Sequence, residues 1–340
     1  MEIKQPYLLF LGDAPDQLAA KTAFGVVDWR PGWCLGQLRL EGCGADVGIP
    51  DMTIEEAVNA GVKTMVVGIV NAGGKFPGHW INSIIAALEA GLDIATGLHI
   101  RLRDLPGVAE AAKVNGRQLH DIRYSDQKFA TGQGTKRLGL RLLTVGTDCS
   151  VGKKYTSLAI EKEMRARKFK ADFRATGQTG ILISGRGISI DAVISDFIAG
   201  AAEWIAPEND ADHWDIIEGQ GSLFHPSFAG VTLGLLHGAQ PDAFVVCHEP
   251  TRTTMRNVKH PIPAIEQVIE RTILEGSLTN PDIRCVGISV YSQAYEDTQA
   301  RAYLAELETR FNLPATDPVR YGAGPIVDEI ERQFPNTTSV

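Results

Sequence analysis

The chain has 340 residues, which points to two domains, or to one large α/β domain with an attachment. Its 33 Lys and Arg against 41 Asp and Glu leave a net charge of −8, which argues against an electrostatically driven binder of nucleic acid or anionic membrane and leaves room for a local basic pocket for a small anion. A 44% hydrophobic and 22% charged composition fits a soluble globular protein rather than a disordered or fibrous one.

In chain order, Leu8 to Leu11 reads as a buried strand closed by the Gly12-Asp-Ala-Pro15 turn. Glu55 to Ala60 reads as a short helix with Asp51 and Thr53 as candidate caps. It leads into the strand Thr64 to Val70. After Asn71-Ala-Gly-Gly74, Trp80 to Ala90 places Ile81, Ile84, Ile85 and Leu88 on one helical face. Leu92 to Gly97 and the helix Val108 to Asn115 continue this βαβ alternation. The polar, glycine-containing stretch that begins near Tyr124 breaks it. The sequence therefore predicts a first domain over 1–124, a linker or mobile loop over 125–138 and a second domain over 139–340.

The second half restarts with the strand Arg141 to Val145, a glycine-rich turn and a helix over Lys153 to Arg167. Apolar runs at Trp214–Ile217, Ala243–Cys247 and Cys285–Val290 alternate with helical patterns at Ile262–Leu274 and Asp297–Arg310. Short apolar strands separated by helices predict an α/β protein with mainly parallel sheets covered on both faces.

Elsewhere the pattern excludes chemistry. Five cysteines without CxxC spacing make neither a disulfide framework nor a zinc knuckle, and the histidines include no HExxH. No tightly bound metal is expected. The start of the chain lacks a basic region followed by an apolar segment, and no apolar stretch approaches roughly 18 residues, so the expected location is cytoplasmic.

The strongest motif is Gly146-Thr-Asp-Cys-Ser-Val-Gly-Lys153, a GxxxxGK run between a strand and a helix. Such a loop curls backbone N–H groups around an anion, while Lys153 and the helix N-terminus add positive charge. The anion-binding candidates are thus Gly146, Thr147, Asp148, Cys149, Ser150, Val151, Gly152, Lys153, Lys154 and Tyr155. The hydroxyl that normally follows the lysine and holds Mg²⁺ is replaced by Lys154; Thr156 would supply one only from a shifted geometry. Adjacent ammonium groups suit a polyphosphate, yet the missing hydroxyl weakens the case for metal-dependent phosphoryl transfer. Coenzyme A also carries phosphates, so acyl transfer is physically admissible.

Around this loop, Glu218 in Glu218-Gly-Gln-Gly-Ser222 ends a strand and is a candidate base, metal partner or capping carboxylate. His225 lies close by in sequence, with a structural role favoured. The segment Ala175-Thr-Gly-Gln-Thr-Gly180, with Arg186 in Gly185-Arg-Gly187 and Asp191, offers a second subsite in which Thr179 and Arg186 would bind substrate and Asp191 would act catalytically. Arg252 in His248-Glu-Pro-Thr-Arg252 is a candidate carboxylate receptor. Cys247 and His248 make no dyad on spacing alone. Cys149, inside an electropositive loop, could carry a depressed pKa, but small-residue packing is the favoured reading.

On the phosphate loop and the Glu218 turn, together with Asp13-Ala-Pro15, Asn71-Ala-Gly-Gly74 and Ala175 to Gly180, the sequence resembles a bacterial and archaeal family with a Rossmann-like N-terminal domain and a P-loop C-terminal domain. The resemblance covers nearly the whole chain and implies the activity of the family's characterised branch, D-glutamate N-acetyltransferase with acetyl-CoA as co-substrate. The GTD…VGK pattern is also similar to the phosphate loop of dethiobiotin synthetase. In the implied reaction the loop holds CoA, Arg252 or Arg186 recognises the acceptor, Glu218 removes a proton from its ammonium and backbone N–H groups near Gly177 to Gly180 stabilise the oxyanion. The alternatives are an Mg-ATP-dependent ligase or small-molecule kinase, and a non-catalytic nucleotide or CoA sensor. A homodimer or higher homo-oligomer is expected.

Overall fold

The computed structural model describes residues 2–17, 19–69, 76–124 and 127–335. The Asn71-Ala-Gly-Gly74 turn, together with Val70 at the end of the expected third strand, lies outside the described residues. The chain divides into two compact units, Met1–Gln127 with Gly177–Ala192, and Lys128–Thr176 with Val193–Val340.

In the first unit, β1 (Tyr7–Gly12), β2 (Cys34–Arg39), β3 (Thr64–Val67), β4 (Asp93–Thr96) and β5 (Leu119–Asp121) form a five-stranded sheet in the order β2-β1-β3-β4-β5. All its pairings are parallel. Helices α1 (Lys21–Trp29), α2 (Ile54–Asn59), α3 (Gly78–Glu89) and α4 (Val108–Val114) connect the strands. Thr53 caps α2 in a reciprocal box with Glu56, which fixes the helix start two residues from the other proposed cap, Asp51.

The second unit holds β6 (Leu140–Gly146), β7 (Lys170–Arg174), β8 (His213–Ile217), β9 (Ala243–His248), β10 (Arg284–Val290) and β11 (Ala315–Thr316) in the order β11-β10-β9-β6-β8-β7. These pairings are parallel too. Its helices are α5 (Lys153–Ala166), α7 (Ile198–Ile205), α8 (Ala229–Ala239), α9 (Ile265–Gly276), α10 (Asp297–Phe311) and α11 (Gly324–Gln333). Every residue from Ala243 to Cys247 is fully buried, as a parallel strand with both faces covered requires. Central β6 lies between β9 and β8, with Gly146 opposite Cys247 and Leu143 opposite Ile217. The loop after β6 therefore leaves the middle of the sheet at its carboxyl edge, where open α/β sheets bind ligands.

Between these pieces, α6 (Gln178–Ser184) and the residues up to Ala192 belong to the first unit. Ile3 N–H donates to Gly185 O at 2.8 Å, and a side chain on Gly97 would meet the Gln178 stem. Of the stretch 125–138, expected as a linker or mobile loop, residues 128–138 are irregular but tied down. Phe129 packs edge-on against Trp204, the Gln133 and Gly134 N–H groups donate to Glu203, and Lys136 pairs with Asp242 at 2.6 Å. Arg137 donates to the carbonyls of Ala206 and Gly238. Gly132 is a close-contact position: a Cβ there would sit 2.7 Å from the Ala199 methyl.

Helices α7 and α8 escape the periodicity argument because glycines lower their helix propensity while permitting close packing. A Cβ on Gly238 would lie 2.1 Å from Ala199 O. Gly238→Ala is therefore expected to destabilise the protein by about 1–3 kcal/mol, the usual cost of overpacking, as read by chemical denaturation; an unchanged midpoint would contradict the packing. No helix among the described residues is long and apolar enough to cross a membrane.

Candidate phosphate-loop site

The loop after β6 is shaped by contacts that its sequence makes necessary. A side chain at Gly146 would collide with Val151 at 2.7 Å. Ser150 and Gly152 take positive φ of 55° and 97°, so the backbone reverses sharply before α5 begins at Lys153. Thr147 N–H donates to Cys247 O at 3.0 Å, anchoring the loop to β9. The result is a strand, a tight glycine-bounded loop and a helix N-terminus, a geometry suited to anions.

Lys153 is 7% exposed, and its Nζ donates to Asp148 O at 2.7 Å. Burial lowers its pKa, opposed by Cys247, Cys149, Asp148 and Glu218. The ammonium is thus folded over the loop beside the Glu218 carboxylate. Lys154 lies over the Tyr155 ring at 4.4 Å. Thr156 is 2% exposed; its hydroxyl donates to Gly152 O at 3.1 Å and pairs with Ser289 Oγ at 2.7 Å. It is turned into the core beneath the loop and does not take over the missing magnesium-binding position.

Glu218 follows β8 and is 4% exposed. Its Oε2 accepts Thr176 N–H at 3.0 Å, its carbonyl accepts the Thr176 hydroxyl, and Gln220 Nε2 donates to that hydroxyl at 3.2 Å. Gly219 is required here: its N–H donates to Thr144 Oγ1, and a Cβ would fall 1.6 Å from Thr144 O. The glycine presses the Glu218 turn onto β6 next to the Lys153 stem.

Arg252, expected as a receptor for substrate carboxylate, is bound to the loop itself. Its Nη1 donates to Asp148 Oδ2 at 2.8 Å and Cys149 O at 2.7 Å, and its Nη2 to Ser150 O at 3.3 Å. A guanidinium fork offers several donors in a fixed plane, and here the loop carbonyls and Asp148 take them. Arg256, which the sequence reading passed over, completes the clamp: its N–H donates to Asp148 Oδ2 at 2.7 Å and its guanidinium to Ser150 Oγ. The signal was a second arginine four residues beyond Arg252.

Cys149 is not an acidified thiol, in keeping with the packing role favoured for it. Burial raises its pKa, and Lys153, Arg256 and Arg252 only partly offset that. Cys247 is pushed up to about 11 by burial. His248 is pulled down to about 4, again by burial, and its Nδ1 meets Thr147 Oγ1 at 3.2 Å. His225 is 1% exposed; its Nε2 meets Arg256 O at 3.0 Å, and its Nδ1 accepts Ser227 N–H at 3.2 Å.

The His248 shift has a measurable sign. The unfolded chain protonates this imidazole near its ordinary value while the fold does not, so stability is full above about pH 6.5 and falls as pH drops toward about 4, by up to about 3 kcal/mol. His248→Gln is expected to flatten that acid limb in a series of denaturant titrations; an unaltered limb would contradict the neutral buried ring.

Thr179, Arg186 and Asp191 belong to the first unit, whereas the phosphate loop, Glu218 and Arg252 belong to the second. Thr179 is on α6, and Gly177 caps that helix. Arg186 bridges to Glu2. Asp191 accepts Ser189 Oγ at 2.7 Å and Arg123 Nη1 at 3.0 Å, and so clamps two stretches of its own unit.

A parallel sheet with a glycine-bounded loop and buried lysine at its central strand, joined to a separate parallel-sheet unit, defines a P-loop protein with a Rossmann-like companion domain. The chain belongs to the DUF1611 family: residues 128–327 match the domain of unknown function described as the DUF1611_C P-loop domain, and residues 38–125 match the DUF1611_N Rossmann-like domain. It is 54% identical over 329 residues to a D-glutamate N-acetyltransferase of Tritonibacter scottomollicae, covering 96% of this chain and 99% of that protein. A D-glutamate N-acetyltransferase of Pseudoalteromonas sp is 50% identical over 328 residues, with the same coverage. The crystal structure of a DUF1611 family protein from Anabaena variabilis ATCC 29413 superposes with a TM-score of 0.84 at 28% identity, covering 97% of this chain and 100% of that one.

Proposed function

We propose that the chain transfers the acetyl group of acetyl-CoA to the amine of D-glutamate, forming N-acetyl-D-glutamate and CoA. The observation that carries this reading is its likeness, at half or more of all positions over nearly the full length, to two D-glutamate N-acetyltransferases. The loop chemistry supports it: a cradle lined by Lys153 suits the phosphates of CoA, and Lys154 stands where an ATP-using loop carries its magnesium-binding hydroxyl.

In this reading residues 146–152 with Lys153, Lys154 and Tyr155 hold the CoA phosphates, and Arg252 with Arg256 keeps the loop in its binding shape. The acceptor nitrogen must shed a proton before it attacks the thioester carbon. Glu218 is the carboxylate assigned to that proton, since it sits at the carboxyl edge of β8, oriented by Thr176 N–H. The C–N bond forms as the C–S bond breaks, and CoA leaves as the thiol. Free CoA thiol, followed with a disulfide reagent, is expected to appear only when acetyl-CoA and D-glutamate are both present. Thiol release that ignores the acceptor, or ADP formation from Mg-ATP, would favour the other readings.

A further inference from the structure

We propose that Asp148, Cys149 and His225 form a binding site for a divalent cation of zinc-like softness within the phosphate loop. One ligand atom from each of the three lies within 4.8 Å of the others. Asp148 is fully buried, yet its two oxygens are treated differently. Oδ2 accepts from Arg252 and from Arg256 N–H, whereas Oδ1 is buried with no hydrogen-bond partner among the described residues. A carboxylate oxygen shut away from water without a donor is costly, and a cation removes that cost.

The surrounding bonds are those of a prepared site. His225 Nε2 donating to Arg256 O fixes the tautomer with its lone pair on Nδ1, the arrangement by which a backbone carbonyl orients a metal-binding imidazole. That nitrogen accepts the long 3.2 Å bond from Ser227 N–H, which an ion would replace. The peptide groups of one residue, Arg256, therefore hold two of the three donors: its N–H orients Asp148 and its carbonyl orients His225. Cys149 is partly exposed, which leaves a route for an ion to enter.

The donor set selects the metal. Thiolate, imidazole and carboxylate suit zinc or cobalt and not magnesium or calcium, which take oxygen ligands. A tetrahedral ion with bonds of roughly 2.0–2.3 Å holds its ligands about 3.3–3.8 Å apart, so closure needs side-chain rotation but no change of fold. Binding exchanges the Cys149 thiol proton for the ion and releases that proton to solvent. Three protein ligands leave a fourth position for water or an anion. The site shares Asp148 and Cys149 with the loop assigned above to the CoA phosphates, but its test reads metal content and not acetyl transfer, so either reading can fail without the other.

The test uses tag-free full-length protein, stripped with a chelator and then equilibrated with Zn²⁺ or Co²⁺. Element analysis is expected to find one zinc per chain, and Co²⁺ to give a thiolate charge-transfer band that Cys149→Ser abolishes. Cys149→Ser and His225→Gln are each expected to weaken zinc at least about tenfold, with Cys43→Ser unchanged. Should His225→Gln fail to fold, Cys149→Ser alone decides. Absence of stoichiometric zinc, or an identical cobalt spectrum in Cys149→Ser, overturns the site.

Discussion

Glu218→Gln is expected to lower kcat by about 10²–10⁴-fold, the usual contribution of a positioned proton acceptor. Glutamine keeps the shape of the side chain, and its carbonyl oxygen still accepts Thr176 N–H where Glu218 Oε2 does at 3.0 Å. The turn therefore survives, since Gly219 and Thr144 hold it independently. What disappears is the basicity. The KM for acetyl-CoA should stay nearly constant while the acid limb of the kcat profile is lost. Steady-state rates across pH check this, and an unchanged kcat with an unchanged profile would remove Glu218 from the chemistry.

Lys153→Met is expected to raise the KM for acetyl-CoA roughly 30-fold or more, corresponding to the 2–5 kcal/mol that truncating a buried charged partner costs. The methionine stem fills the space but leaves Asp148 O without the donor that now sits at 2.7 Å, and it removes the only charge at the start of α5 that is buried against the loop among the described residues. Calorimetric titration with CoA reads the loss directly. Because burial already lowers the lysine pKa, binding by the native chain should also weaken at a lower alkaline pH than an ordinary lysine would give. Equal CoA affinity in the variant would mean that the phosphates bind elsewhere.

Much of the scaffold is legible because parallel strands announce themselves. The expected runs 141–145, 243–247 and 285–290 fall within β6, β9 and β10, where burial on both faces demands continuous apolar sequence. The helix expected at 297–310 is α10 to within a residue. Helices α7 and α8 were not legible, since Gly234 and Gly238 let these two helices meet closely and Gly200 admits the backbone at Ala130, while all three read locally as breakers.

The site is readable only as far as its parts are contiguous. Gly146 to Lys153 carries strand, loop, lysine and helix in one stretch, so its geometry follows from its letters. The segment Ala175 to Gly180 also looks like one loop, yet Thr176 supports Glu218 in the second unit whereas Gln178 begins a helix of the first. Arg252 shows the same limit. A sequence says that a guanidinium seeks a carboxylate, but not that Asp148, 104 residues earlier, is the one it finds. For Cys149 the alternative of an acidified thiol could not be settled from sequence, because charge along the sequence is visible whereas the burial that outweighs it is not.

Incubation with acetyl-CoA and D-glutamate, with products resolved by mass, tests the central claim most directly. The predicted result is N-acetyl-D-glutamate and CoA in equal amounts, dependent on the protein and lost with L-glutamate in place of the D-isomer. No acetylated product, with ADP formed when Mg-ATP replaces acetyl-CoA, would contradict acetyl transfer and return the phosphate loop to nucleotide chemistry.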